Sequence, residues 1–255
     1  MSRMRRRGIY LLPNLLTASG LFCGFYAIVS AINGTLNDEP ARFEYAAIAI
    51  FVAMILDGLD GRVARMTNTQ SDFGAEFDSL ADMVSFGVAP SLVMFLWALA
   101  DISKVGWVSP GWFAAFIYTV MAALRLARFN TQVGIADKRY FQGLASPSAA
   151  AIMASTVWLG ADYGIEPSSV SWLAFLITLF SGLMMVSNFR YHSFKGIDFK
   201  GKVPFISIVI TVLVFALVAL KPPLVLFVVF SVYALSGPIF TLVRLYQHRE
   251  KRSRH

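Results

Sequence analysis

Residues 42–66 read RFEYAAIAIFVAMILDGLDGRVARM, and this stretch decides the fold. It carries no charge from Tyr45 to Leu56, as a helix crossing hydrocarbon requires, and then Asp57, Asp60, Arg62 and Arg65 follow in quick succession. Outward from it, runs of the same kind separated by short polar clusters are found at Asn14 to Asn33, Phe73 to Ala100, Pro110 to Asn130, Ser146 to Ala161, Val170 to Asn188, Val203 to Leu220 and Pro223 to Arg244. With Arg42 to Met66 the pattern predicts an all-α polytopic membrane helix bundle of about eight transmembrane helices. It forms one domain: a basic lead-in over 1–13, the bundle over 14–244 and a basic tail over 245–255. The run at Ser146 is short and rich in Ser and Ala, which suits packing inside the bundle better than facing lipid.

Composition agrees. A chain of 255 residues that is 57% hydrophobic and 15% charged, with a mean hydropathy of +0.63, is too apolar for an ordinary soluble enzyme and too charge-poor for disorder. The net charge of +7 could suggest nucleic acid, but its distribution argues otherwise. With the amino terminus placed in the cytoplasm, nineteen of the 22 basic residues fall on the inner side, within 3–7, 62–65, 125–139, 190–202 and 244–254. Only Arg42, Lys104 and Lys221 fall outside. This asymmetry predicts an even number of spans with both termini cytoplasmic, and no nucleic-acid partner. The basic start resembles a signal peptide only superficially: Pro13 interrupts the first apolar run and no small-residue cleavage site follows, so a lead-in attracted to anionic head groups is expected. Cys23, the single cysteine, cannot form an intramolecular disulfide and is expected to be a packing residue.

Six of the fifteen acidic residues (Asp57, Asp60, Asp72, Glu76, Asp78, Asp82) crowd into 57–82. Four carboxylates on two membrane helices would cost on the order of 10 kcal/mol if left uncompensated. At helical spacing Asp57, Asp60, Gly61, Ala64 and Arg65 share one broad stripe, while Gly74, Asp78 and Asp82 stack at i, i+4 and i+8. Two facing helices then bring Asp57, Asp60, Asp78 and Asp82 to one point. Two divalent cations would neutralise them, and the all-oxygen donor set favours Mg²⁺ or Mn²⁺ over zinc. Arg65 adds a fork suited to phosphate. Asp82, last in the stack, is the candidate to accept a proton from an attacking hydroxyl.

The string Asp57-x-x-Asp60-Gly61-x-x-Ala64-Arg65, eight residues, Gly74-x-x-x-Asp78-x-x-x-Asp82 is similar, without departure, to the signature of the CDP-alcohol phosphotransferases. That resemblance implies an integral membrane enzyme that displaces CMP from a CDP-linked lipid with an alcohol. It implies that Asp57 and Asp78 bridge two metals, that Asp60 completes the first site, and that Asp82 ligates the second metal and serves as general base. Gly61, Arg65, Ser71 and Gly74 would contact the CDP part, with Asn14 and Thr17 closing over the nucleotide. The flanking words LPNLLT at 12–17, FDSLADMVSFGVAP at 77–90, RLARFN at 125–130 and FQGL at 141–144 resemble the membrane-type phosphatidylserine synthase branch. That branch implies CDP-diacylglycerol as donor and L-serine as acceptor, a homodimer, and a bacterial plasma membrane with the active site facing the cytoplasm. Ala145 and Asn188 depart from its pattern, where Pro and Arg are expected. The last two helices look generic.

Plainer readings stand beside these. The four aspartates could be helix-end carboxylates satisfied by Arg62, Arg65 and water. Asp72 and Glu76 are read as first-turn acids, favourable at a helix amino terminus. Arg125 and Arg128, beside Asn130, are either positive-inside anchors or the ligands of a phosphate or of the serine carboxylate. Within the same class, the acceptor could be glycerol 3-phosphate or inositol phosphate. The rival class is a transporter, since intramembrane carboxylates also mark ion pathways. Against it, the acids gather at one interface, and no inverted repeat is evident.

Overall fold

The computed structural model describes residues 3–67, 69, 71–103, 109–132, 140–192, 212–213 and 216–252. Its elements are α1 (Arg3–Leu36), α2 (Ala41–Thr67), α3 (Asp72–Leu99), α4 (Pro110–Gln132), β1 (Tyr140–Gln142), α5 (Ser146–Asp162), α6 (Pro167–Val186), β2 (Arg190–His192) and α7 (Pro222–Arg252). Among the described residues, five helical stretches are long and apolar enough to cross a membrane: Leu12–Leu36, Asp72–Leu99, Pro110–Thr131, Pro167–Val186 and Pro222–Thr241. The protein is a membrane helix bundle. Two expected spans fall outside that set for visible reasons. Helix α2 carries charges at both ends, Arg42 and Glu44 in its first turn and Asp57, Asp60, Arg62 and Arg65 in its last turns, and α5 has only 17 residues. The expected span Val203 to Leu220 lies mostly outside the described residues, with 216–220 helical.

Small side chains hold the bundle together. Ala27 and Ala31 of α1 and Ala46, Ala47 and Ala53 of α2 are buried in one core, and a Cβ on Gly20 would stand 3.8 Å from Ala53 O. With little hydrophobic drive between helices in lipid, such close backbone approach is where dispersion contacts accumulate. As expected, α5 is an inner helix: Ala149, Ala150, Ala151, Met153, Ala154 and Val157 are at most 1% exposed. It packs against α2, α6 and α7.

The structure corrects the sequence reading at one place and adds to it at another. Pro13 does not end a helical run. It lies inside α1, which continues unbroken from Arg3. One missing N–H costs a single ladder bond, whereas leaving the helix would strand several backbone groups in an apolar setting. The fold is all-α as expected, with one short addition. β1 and β2 form an antiparallel pair, with Tyr140 opposite His192, Phe141 opposite Tyr191 and Gln142 opposite Arg190. The pair bridges two interhelical connections. No strand was expected because its residues are 48 to 52 positions apart and show no alternation beyond three residues.

Helix α3 is not uniform. Its α-helical start, Asp72–Asp82, passes into a π-helical segment Met83–Val88, a short α segment Ala89–Met94 and a second π segment Phe95–Leu99. Pro90 brings no N–H to the carbonyl four residues back, that of Phe86. The Tyr118 hydroxyl of α4 donates to that carbonyl at 3.1 Å.

Candidate active site

The α2 and α3 aspartates converge as their spacing predicts. Asp57, Asp60 and Asp78 each offer a carboxylate oxygen, and these oxygens lie within 4.8 Å of one another. Asp82 is outside that group but lines the same cavity, with Asp57, Asp78 and Arg125 as charged neighbours. The cavity is completed by Thr17 and Gly20 of α1, Ala53 of α2, and Ala81, Ser85 and Phe86 of α3. Its floor is built by close contact. Ser85 Oγ donates to Gly20 O at 3.1 Å, and a Cβ on Gly24 would overlap Ser85. The π segment begins directly after Asp82, so the helix changes its winding at the cavity wall, a setting in which π segments recur.

Three carboxylates this close repel one another strongly unless a cation lies among them. The donor set is oxygen throughout, which favours a hard divalent ion over zinc. Asp60, 4% exposed, accepts a hydrogen bond from Thr17 Oγ1 at 2.7 Å. Thr17 is itself 5% exposed and lies 3.1 Å from Pro13 O. A hydroxyl on α1 therefore orients a carboxylate on α2. Sequence had assigned Thr17 to the nucleotide, and the 43 residues separating the pair left no periodic signal that could reveal the link.

The other sequence-derived residues form two groups. At the amino end of α3, Ser71 caps the helix by accepting from Gly74 N at 3.0 Å. A Cβ on Gly74 would stand 3.1 Å from Ser71 Oγ and 3.4 Å from Asn14 Oδ1, so Asn14, Ser71 and Gly74 meet at one point. Gly61 and the exposed Arg65 lie nearby in sequence on the last turns of α2, and Arg65 Nη1 stands 3.8 Å from where a Gly61 Cβ would be. The second group is on α4. Arg125 Nη1 donates to the buried Ser146 Oγ at 2.6 Å, and Arg125 has Asp82 beside it. Arg128 donates to Gln142 Oε1 and, at 3.0 Å, to Asn188 Oδ1. Asn130 Nδ2 donates to Ser79 Oγ at 3.0 Å. Thus Arg125 adjoins the carboxylates, whereas Arg128 ties α4 to the connections carrying β1 and β2. Asn188, a departure from the expected pattern, is one of its acceptors.

Sequence reasoning missed Ser146 as the acceptor of Arg125 and read it as a small packing residue.

Fold and site together define an integral membrane protein whose carboxylate centre suits a hard divalent cation. The chain belongs to the CDP-alcohol phosphatidyltransferase family, matched over residues 10–186, and is accordingly a transferase of phospholipid biosynthesis. It is similar to the CDP-diacylglycerol–serine O-phosphatidyltransferase of Helicobacter pylori, 36% identical over 249 residues that cover 95% of this chain and 97% of the relative. The protein of that name from Mycobacterium tuberculosis is 33% identical over 237 residues, covering 89% and 78%. One from Methanocaldococcus jannaschii is 38% identical over 147 residues, covering 58% and 63%. The family match contains every candidate site residue of the sequence reading, from Asn14 to Asn130. It stops before α7.

Proposed function

We propose that the protein transfers the phosphatidyl group of CDP-diacylglycerol to L-serine, releasing CMP, as a single-domain enzyme of the cytoplasmic membrane. The observation that carries the chemistry is the meeting of Asp57, Asp60 and Asp78 within 4.8 Å, beside Asp82. The serine acceptor is supported by relatives named for that reaction over nearly the whole chain.

Asp57, Asp60, Asp78 and Asp82 would hold two divalent cations, Mg²⁺ or Mn²⁺. Bound there, such ions supply charge neutralisation of the diphosphate and of the departing CMP. Thr17 keeps Asp60 turned to the cavity. Asn14, Ser71 and Gly74, with Gly61 and Arg65, receive the CDP part; Gly74 offers backbone without bulk, and Arg65 offers a cationic fork. Asp82 takes the proton of the serine hydroxyl as its oxygen bonds to the lipid-side phosphorus and the bond to CMP breaks. Arg125, with Arg128 and Asn130 farther along α4, holds the acceptor side. The excess of basic residues on one side supports an even number of spans, eight in this reading, with both termini in the cytoplasm and a site opening there. A homodimer, implied by the family resemblance, and a bacterial plasma membrane, supported by the bacterial relatives aligned over most of the chain, are part of the same reading.

The test is CMP release from CDP-diacylglycerol by purified protein, with and without Mg²⁺ or Mn²⁺, against L-serine, glycerol 3-phosphate, inositol phosphate and no acceptor. Release that needs both serine and metal is expected, with Asp57→Asn and Asp78→Asn inactive yet inserted and folded. Release with a different alcohol would overturn the serine assignment. Wild-type turnover in either variant would overturn the metal site.

A further inference from the structure

The hydrogen-bond ladder of α3 lacks a rung beside the site. Over Met83–Val88 the helix is wound as a π-helix, and Ala89 then bonds its N–H to Val84 O, five residues back. The next residue, Pro90, has no N–H to give, and from Ala89 the winding is α again. At the change of winding the backbone is therefore short of one bond. Side chains from two flanking helices grip consecutive residues of the π segment instead. Ser85 Oγ donates to Gly20 O of α1 at 3.1 Å, and the Tyr118 hydroxyl of α4 donates to Phe86 O at 3.1 Å.

Tyr118 is itself firmly placed. It is fully buried, and a Cβ on Gly182 of α6 would stand 3.3 Å from its Cα, so a third helix backs it. One residue on, Thr119 Oγ1 lies 2.9 Å from Ser91 Oγ, and a Cβ on Gly87 would stand 3.3 Å from Ala122 Cβ. These contacts fix the register of α4 against α3. Toward the inner end of the same interface Asn130 Nδ2 meets Ser79 Oγ at 3.0 Å. Asp82 lies between the two clamps, three residues after Ser79 and four before Phe86.

A π turn spans one residue more than an α turn. With Phe86 held in place, rewinding Met83–Val88 as α-helix would turn Asp82 by about 100° around the helix axis and shift it by about 1.5 Å along it. Asp82 would then leave the cavity that it lines together with Asp57, Asp60 and Asp78. We propose that Tyr118 is a positioning residue for Asp82: by holding the Phe86 carbonyl it keeps Met83–Val88 in the π winding that aims Asp82 into the cavity. This rests on the transferase reading, in which Asp82 takes the acceptor's proton and ligates a metal, and extends it to a residue behind the cavity wall.

The experiment compares the full-length protein with Tyr118→Phe, which removes one oxygen and keeps the ring. Well below the thermal midpoint, kcat for CMP release is expected to fall about tenfold, with both KM values within about twofold. Mn²⁺ binding to the substrate-free protein is expected to weaken about tenfold. In an Asp82→Asn background, Tyr118→Phe is expected to add nothing to the loss of Mn²⁺ affinity. Tyr118→para-aminophenylalanine keeps a donor at the same point of the ring and is expected within about threefold of wild type in both measurements. Thr119→Val, which breaks the contact to Ser91 beyond the π segment, is expected to lower the midpoint and leave kcat unchanged.

An unchanged kcat or an unchanged Mn²⁺ affinity in Tyr118→Phe would overturn the inference. So would a Mn²⁺ effect that persists in full without Asp82, an equal fall of kcat in Thr119→Val, or a para-amino variant as impaired as Tyr118→Phe. Loss of the fold in Tyr118→Phe would make the phenol a structural group and overturn it as well. The two readings fail separately. Absence of acceptor-dependent CMP release from the wild type, or wild-type turnover in Asp82→Asn, strikes the reading of the site. Normal wild-type turnover, an inactive Asp82→Asn and an unaltered Tyr118→Phe strike the role of Tyr118 alone.

Discussion

Asp60 shows how one residue's meaning changes between sequence and structure. Its place in the spaced aspartate string marks it as a ligand candidate, and its burial at 4% exposure with the Thr17 hydroxyl 2.7 Å away shows how it is held. Supporting hydrogen bonds of this kind fix ligand orientation, and their loss costs about 10- to 100-fold in metal affinity. Thr17→Val keeps the volume and removes the donor. It is expected to raise the Mg²⁺ or Mn²⁺ concentration giving half-maximal activity by about tenfold, with Thr17→Ser close to wild type. A metal dependence in Thr17→Val equal to the wild type would show that Asp60 is held by other means. Helix periodicity made the four aspartates and Gly74 legible because their partners lie on the same two helices. The roles of Thr17 and Ser146 were not, because each bonds a residue of another helix and periodicity says nothing about such pairs.

At the scale of elements, seven of the eight expected helices were legible from hydropathy and correspond to α1 through α7, although α1 begins well before Asn14. What hydropathy did not reveal is winding and closure. A π segment keeps the same apolar composition as the α-helix around it, so nothing in the residues from Met83 to Val88 announces it. The strand pair depends on its turn geometry. Gly143, directly after β1, has φ +79°, donates its N–H to Phe189 O at 2.9 Å, and leaves no room for a Cβ beside Met185 O. Gly164 also has a positive φ, +60°, but with open space around it. Gly164→Ala therefore carries only the dihedral penalty of about 1–2 kcal/mol, whereas Gly143→Ala adds a collision with backbone that cannot retreat without breaking the strand pair. Thermal denaturation of the purified protein is expected to show the larger fall for Gly143→Ala. Equal falls would mean that the strand pair yields easily.

Across the whole molecule, the charge asymmetry orders the ends of the helices. Two of the three basic residues assigned to the outer face have local partners there: Arg42 pairs with Glu39 at 2.6 Å, and Lys221 lies 5.6 Å from the centre of the Tyr163 ring. Exposed pairs of this sort add little stability, but they lower the cost of a lone cation on that face. The orientation has a direct test after Cys23→Ala. Asn37→Cys, in the connection between α1 and α2, is expected to react with a membrane-impermeant maleimide in intact cells. Thr67→Cys, at the opposite end of α2, is expected to react only after permeabilisation. The reverse pattern would invert the topology and the access route of the soluble substrate.

The sequence by itself determined that this chain is a membrane helix bundle, where most of its helices run, and which four aspartates belong together. Those properties are written in hydropathy and in helical spacing, both local along the chain. Only the tertiary structure decided that Thr17 orients Asp60, that a π segment starts directly after Asp82, that two distant connections pair as strands, and that Ser146 accepts a hydrogen bond from Arg125. Each depends on which faces of separate helices meet, and that is settled by packing small side chains across the bundle rather than by any pattern along a single helix.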